Sequence, residues 1–196
     1  MSGVVPLGRP RDPAIDAAVL TATKALLMEG GYSRLTVEEV ARRAGVSRPT
    51  VYRRWPSKPH LVHDALYDPA QARTLPDTGD FEADVRTMLR RSLASYARPE
   101  VRAGLLGLTA DLQGDSELRD SVLEWLQKPV RDHLAQLLAA AVERGQVRAE
   151  ADAEVLFDAL FGALVSHVVV RGLDDIGFAD SVADLVVRGV LTRADP

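Results

Sequence analysis

Apolar residues recur at helical intervals along almost all of the chain, and no stretch alternates in the sustained way that a sheet requires. Ile15, Val19, Ala22 and Leu26 mark one face of a first helix, which Gly30-Gly31 is placed to end. Thr36 and Glu39 form a T-x-x-E capping box for a short second helix reaching about Ala44, and Gly45 stops it. Ser47 caps a third helix of about seven residues with Pro49 in its first turn, and Ser57 caps a fourth that runs to about Tyr67. Residues 68–80, DPAQARTLPDTGD, interrupt this pattern with two prolines and a glycine, a composition that predicts a loop between domains.

Beyond the loop the stripes lengthen. Phe81, Val85, Met88, Leu89, Leu93 and Tyr96 form one face, and Val101, Leu105, Leu108 and Leu112 the next. The stripe from Leu118 to Ala141 predicts one long helix, kinked at Pro129 because proline removes a hydrogen bond and crowds the carbonyl four residues back. Two last helices are expected at 152–171 and 176–193. The fold class is therefore all-α: an arm over 1–13, a small three-helix unit with its fourth helix over 14–67, and a larger helical domain over 81–196.

Composition narrows the function. At 196 residues with 46% hydrophobic and 27% charged residues, the chain can bury real cores. It has no cysteine, which excludes disulfides, thiol catalysis and thiolate zinc sites. The opening MSGVVPLGRPRDPAID is too polar for a secretory signal, and the longest stretch without acid or base, Ala159 to Val170, is 12 residues against the ~20 of a membrane helix. A soluble, cytoplasmic protein without a membrane partner is expected. No G-x-S-x-G, H-E-x-x-H or glycine-rich phosphate loop is present, so no enzyme, metal or cofactor is expected either. His60 and His63 have a metal-compatible spacing but lack a third ligand, and read as exposed helix surface.

Charge is more informative divided than summed. The net charge is −4, yet residues 1–60 carry ten Lys/Arg and five acids, and between Glu39 and Asp64 lie six bases and no acid. The same segment, TVEEVARRAGVSRPTVYRRW at 36–55, is a capped helix, a glycine-containing turn and a second short helix, with Val40, Ala41, Val46, Val51 and Trp55 spaced to pack inward. That is the plan of a helix-turn-helix, whose second helix enters the DNA major groove. The packing leaves Arg48, Pro49, Thr50, Arg53 and Arg54 facing out behind the cap Ser47. Arginine can hold guanine O6 and N7 with two bonds, and a threonine methyl or proline face suits a thymine methyl. Tyr52 and Lys58 are placed to flank the groove as phosphate contacts. A helical ligand- or protein-binding module without sequence-specific DNA binding is the alternative.

The stretch GYSRLTVEEVARRAGVSRPTVYRRWPSKPHLV, residues 31–62, resembles the DNA-binding domain of TetR-family transcriptional regulators. Its Gly-aromatic pair, Thr-capped helix, Ala-Gly-Val-Ser, Thr-hydrophobic-Tyr and final Ser-Lys follow that family's pattern. The resemblance implies base or groove-edge roles for Arg48, Pro49 and Thr50, either role for Arg53 and Arg54, and phosphate contacts for Thr36, Tyr52 and Lys58. Two positions depart from it: Glu38 stands where some members carry a base that touches DNA, and Trp55 where phenylalanine is commoner. The family also implies a double-stranded operator, a homodimer formed through the last two helices, and a small apolar effector bound among the helices before them, which relieves repression.

For the dimer, Ala159, Gly162, Ala163 and Ser166 line one side of the penultimate helix and Gly189 appears in the last. Leu156, Leu160, Val182, Leu185 and Val186 supply apolar surface beside them. A ligand pocket would draw on Met88, Tyr96, Leu105, Trp125, His133, Phe161 and His167, each of which could equally be core. The fourth helix is the expected transmitter between pocket and DNA.

Overall fold

Helix starts in this chain are set by short oxygen-bearing side chains. The computed structural model describes residues 12–66, 75–114 and 116–191, without the side chains at 122, 123, 125 and 126. Within it Asp12, Thr36, Ser47, Asp80, Asp152 and Asp175 each accept a backbone N–H at the head of a helix, an interaction worth about 1 kcal/mol apiece. They open α1 (Pro13–Arg34), α2 (Val37–Arg43), α3 (Arg48–Tyr52), α5 (Phe81–Tyr96), α9 (Ala153–Leu164) and α10 (Ile176–Val190). The others described are α4 (Lys58–Leu66), α6 (Pro99–Gln113), α7 (Ser116–Leu126) and α8 (Lys128–Glu143). The described residues hold no strand beyond an isolated bridge, Val147 with Leu191.

Several expectations are adjusted by this arrangement. Gly31 does leave the helical region at φ 69°, but one more turn follows before the chain exits at Leu35. The recognition helix α3 is five residues, shorter than the seven expected. The single kinked helix over 118–141 is two helices broken at Gln127: Pro129 sits in the first turn of α8, where its missing N–H has no partner to lose, so it starts a helix and does not bend one. Residues 1–11, which hold nearly all of the expected arm, and residues 67–74, which include Tyr67 and the head of the expected loop, lie outside the described residues. The rest of that loop is pinned to the larger domain. Buried Asp84 accepts from the Thr78 N–H at 2.9 Å and the Thr78 hydroxyl at 2.8 Å, and Gln146 Nε2 donates to the Gly79 carbonyl at 3.0 Å.

Two buried clusters organise the molecule. Val19, Leu27, Val40, Val51, Trp55 and Leu61 centre the first, between α1 and α4; Phe81, Leu89, Leu134, Leu160, Leu164 and Val187 centre the second, between α5, α8, α9 and α10. Helix α6 belongs to both neighbourhoods. Its Val101, Leu108 and Leu112 complete the first cluster, although α6 follows α5 in the larger domain. Glycines allow this approach: a Cβ at Gly107 would stand 2.5 Å from Tyr32 Cβ and Cγ, and one at Gly104 would stand 3.0 Å from Leu66 Cδ1. The G-L-L-G at 104–107 is thus a close-packing seam between the N-terminal helices and the rest.

At its C-terminal end α9 widens into a π-helical turn, Val165–Val170, which carries three successive buried residues, His167, Val168 and Val169. The segment Ala153–Val170 is long and apolar enough by composition to cross a membrane. Here, however, its stripe of Leu156, Phe157, Leu160, Phe161, Leu164 and Val168 is buried in the chain's own core.

Candidate nucleic-acid interface and the cavity behind it

The helix-turn-helix is built from two caps and one turn. Thr36 Oγ1 accepts the Glu39 N–H at 3.2 Å to start α2, and Ser47 Oγ accepts the Thr50 N–H at 3.3 Å to start α3. Between them Gly45 turns the chain at φ 68°, a left-handed conformation that favours glycine. Val40, Ala41, Val51 and Trp55 are buried as expected, while Val46 is half-buried. Trp55 Nε1 donates to Asp64 Oδ2 at 2.8 Å, which ties the exit of the motif to α4. Arg48, Pro49, Tyr52 and Arg53 stand exposed around α3, and Thr50 is half-buried with its hydroxyl 2.8 Å from that of Ser47. Ser47 is therefore occupied in shaping the start of the helix.

The six bases between Glu39 and Asp64 are not a bare patch, because the fold brings acids to them from outside the segment. Arg48 Nη1 pairs with Glu38 Oε1 at 2.7 Å, Arg43 with Glu29 at 2.5 Å, and Arg42 with Glu39. Both members of the Arg48–Glu38 pair are more than half exposed, so water screens it and a nucleic-acid acceptor can replace it. Arg53 forms no ion pair among the described residues.

Two residues expected on the DNA side are drawn inward. Arg54, its side chain 10% exposed, pairs with Asp16 of α1 and reaches the Thr50 carbonyl, so it braces the recognition helix and is not presented to a base. Lys58 lays its ammonium over the Tyr32 ring, 3.9 Å from the centroid, and burial lowers its pKa against the pull of Asp111. Tyr32 in turn donates its hydroxyl to Asp111 Oδ2 at 2.5 Å, and burial together with that carboxylate pushes its ionisation up. Lys58, Tyr32 and Asp111 thus join α4, α1 and α6. Sequence spacing could not show this, since Tyr32 and Asp111 lie 79 residues apart. The two histidines of α4 have local partners: His60 Nδ1 is 2.9 Å from Ser57 Oγ, and His63, buried where an exposed surface was expected, is 2.9 Å from Asp64.

On the other side of α6 lies a cavity of about 470 Å³. Its walls include Leu105, Leu108 and Leu112 of α6, Tyr96 of α5, and Phe157 and Phe161 of α9. Thr109, Gln113, Arg119, Gln127 and Asp158 add polar groups. Of the residues proposed from sequence, Tyr96, Leu105 and Phe161 line it. Met88 is core. His133 instead donates from Nε2 to the Pro76 carbonyl at 2.8 Å, fastening the interdomain segment. His167 stacks on Phe178 with centroids 3.7 Å apart and rings 7° from parallel, joining the end of α9 to α10. The side chain of Trp125 lies outside the described residues.

Two family models match the chain. Residues 19–65 match the family model of bacterial regulatory proteins of the tetR family, and residues 75–186 that of the tetracyclin repressor-like C-terminal domain. The chain belongs to the TetR family of bacterial transcriptional regulators. It is 30% identical to the HTH-type transcriptional regulator YdeS of Bacillus subtilis over 95% of this chain and 91% of that one. It is 28% identical to the DNA-binding transcriptional repressor TetR of Mycobacteroides abscessus over 87% of this chain and 90% of the other. The crystal structure of a TetR family transcription regulator superposes with a TM-score of 0.67 at 32% identity, over 90% of this chain and 98% of that one. The chain is thus a DNA-binding transcriptional regulator.

In this TetR-family fold the last two helices leave an open face. Val155 (67% exposed), Ala159, Gly162, Ser166 and Val170 form one exposed stripe along α9 and its π turn, and Leu185 (79% exposed) and Gly189 are exposed on α10. A Cβ at Gly162 or Gly189 would meet nothing within 4 Å. Leu156, Leu160 and Val182, expected at a dimer contact, are instead buried in the subunit's own core; Ala163 and Val186 are half-buried at its edge. The helical period placed the apolar surface correctly on these helices but could not tell the inward stripe from the outward one.

Proposed function

We propose that this TetR-family chain is a ligand-relieved repressor: a homodimer that holds an inverted-repeat operator until a small, largely apolar molecule fills the cavity. One observation carries the reading. Helix α6 turns Gly104, Gly107 and Asp111 toward α1 and α4, and Leu105 and Thr109 toward the cavity, with Leu108 and Leu112 shared by both, so a molecule that moves one side moves the other. This makes α6, more directly than α4, the transmitter. A ligand acts only if it prefers the arrangement that fits DNA poorly, because one that binds both states equally shifts nothing.

The dimer reading is supported by the exposed Val155, Val170 and Leu185 with Ala159, Gly162 and Gly189 between them, which let two helix pairs approach as a four-helix bundle. A five-residue recognition helix contacts only a few base pairs, so two copies are needed to distinguish a site. In that complex Arg48, Pro49 and Thr50 read base edges, with Arg53 beside them, while Thr36 and Tyr52 meet phosphates and Lys58 joins them if it leaves the Tyr32 ring.

The test begins with operator sequences selected from random DNA. Gel mobility shift of the selected site should show two chains per duplex, steep weakening with salt, and release by a ligand found in a binding screen. Leu185→Lys, which alters an exposed side chain, should leave the fold intact, yield monomers and abolish operator binding. Ligands that bind the C-terminal domain without changing operator affinity would overturn the relief mechanism.

A further inference from the structure

The polar groups around the cavity differ in what they have left to bind. Arg131 donates from Nε and Nη2 to Gln127 Oε1 at 3.2 and 3.0 Å, which engages the Gln127 carbonyl and leaves its amide N–H groups without an acceptor among the described residues. The Thr109 hydroxyl already donates to the Leu105 carbonyl at 2.8 Å. Asp158, the carboxylate of the described lining, accepts from Arg131 Nη2 at 3.0 Å. Tyr96 keeps its proton at physiological pH, since burial pushes its ionisation up to about 12, and it remains a neutral donor. Arg119 faces its chain neighbour Asp120 at 3.5 Å, a carboxylate 76% exposed to water. Gln113, exposed at the edge, offers donor and acceptor alike, so what distinguishes the lining is one guanidinium, held among the described residues only by exposed Asp120, beside the apolar residues.

A cation would find a poorer site. The face of Phe157, the natural seat for one, is covered by the Arg131 guanidinium 4.0 Å from its centroid. Glu154 and Asp158 share that same arginine and stand 69% and 72% exposed, so solvent screens their pull on an interior charge. A wholly neutral apolar molecule would cover Arg119, whose side chain is 35% exposed, and take its donors from water without giving them a partner, which is unfavourable.

We infer that the effector is an amphipathic anion: an apolar body against Leu105, Leu112 and Phe161, and a carboxylate or similarly acceptor-rich head that meets the Arg119 guanidinium, with Gln127 and Tyr96 as supporting donors. The inference rests on the cavity being the effector site. Arginine suits such a head because its planar fork gives two parallel charge-assisted bonds. The same recognition explains why Arg119 stands partly exposed at the cavity's rim, where the head can be met without burying a bare charge.

Calorimetric titration of the full chain with decanoate, decanamide and decylamine, each below its aggregation concentration, separates the three classes. Decanoate should bind about tenfold or more tightly than either of the others, a ratio set by one charge-assisted pair. Arg119→Gln should remove that preference while affinity for decanamide stays within about twofold, and Leu105→Trp should weaken all three alike. Equal or tighter binding of decylamine or decanamide, a decanoate preference that survives Arg119→Gln, or no binding of decanoate overturns the assignment. Each of those results leaves the repressor reading standing, because operator affinity is read separately in the mobility shift. Conversely, decanoate binding through Arg119 with no effect on the operator would sink the relief mechanism and keep the ligand class.

Discussion

The helix-turn-helix and the cavity are two working regions built on opposite plans. The first takes its shape locally, within residues 36–55: two caps, one left-handed glycine and four buried apolar side chains set it, Asp16 and Asp64 brace it from α1 and α4, and Arg48, Pro49, Tyr52 and Arg53 point to water. The second takes walls from α5, α6, α7, α8 and α9, over a span from Tyr96 to Val165, and no local motif encodes it. A surface reader can be specified by turn chemistry over a short range. An interior receptor exists only once distant helices have packed, so its shape is a property of the whole domain. Helix α6 is shared between the two, and the seam at Gly104, Gly107, Tyr32 and Asp111 is where the plans meet.

Breaking that seam should have the largest effect. Gly107→Val places atoms against Tyr32 Cβ and Cγ, which lie too close to the backbone to swing aside. Overpacking of this kind costs about 1–3 kcal/mol, so the thermal midpoint should fall by several degrees, and operator affinity and its ligand response should change together. A variant that melts and responds like the parent would show that the two regions communicate elsewhere.

The next contrast lies within the reader itself. Arg48→Ala should lower discrimination between operator and random DNA by roughly ten- to a hundredfold per half-site, since a lost bidentate contact is felt only on the correct base. Arg54→Ala should instead lower folding stability and weaken specific and random binding alike, because its partner is Asp16 inside the domain. Competition binding at fixed salt together with urea denaturation distinguishes these patterns; equal losses on both DNAs from Arg48→Ala would remove it from the base-reading set.

What could be read from sequence follows the same division. The caps Thr36 and Ser47, the turn at Gly45 and the burial of Val40, Ala41, Val51 and Trp55 are short-range properties, and all were legible. The pairing of Arg54 with Asp16 and the seating of Lys58 on Tyr32 were not, because an acid-free segment says nothing about acids that other helices bring to it. In the larger domain the stripes showed which helices bury a face but not which residues face a void: Tyr96, Leu105 and Phe161 line it, while Met88, His133 and His167, similar in pattern, pack or hydrogen-bond elsewhere. Pro129 reads the same in sequence whether it kinks a helix or begins one. The break at Gln127 decides the matter, and Gln127 itself, unremarkable in sequence, reaches the cavity because of that break.

Filling the cavity tests the second region without touching the first. Leu105 is partly buried on the cavity side of α6, so Leu105→Trp can place its ring in the existing space. The thermal midpoint should move by only a few degrees, ligand affinity should fall by about tenfold or more, and operator affinity without ligand should either hold or shift toward the released state. Unchanged ligand affinity would mean that the effector binds outside this cavity.

The smallest effect expected concerns the joint between the reader and α4. Burial raises the pKa of Asp64, but the hydrogen bonds from His63 and from Trp55 Nε1 outweigh it and hold its carboxyl below the ordinary carboxylate range. A carboxyl lowered on folding stabilises the native state above its unfolded pKa, near 3.9, and that contribution is lost as pH falls through the lower folded value. From pH 5 to 8, then, Asp64 itself should give stability no pH dependence. Asp64→Asn should lower stability at pH 7 by about 1 kcal/mol or less, since the group is partly solvated, and the gap between variant and parent should narrow as pH drops below 4. Urea denaturation of both proteins at pH 7 and pH 3.5, followed by tryptophan fluorescence, reads the gap directly. If it is unchanged or wider at pH 3.5, the carboxylate is not what holds Trp55 against α4, and the recognition helix is braced on that side by burial of the indole alone.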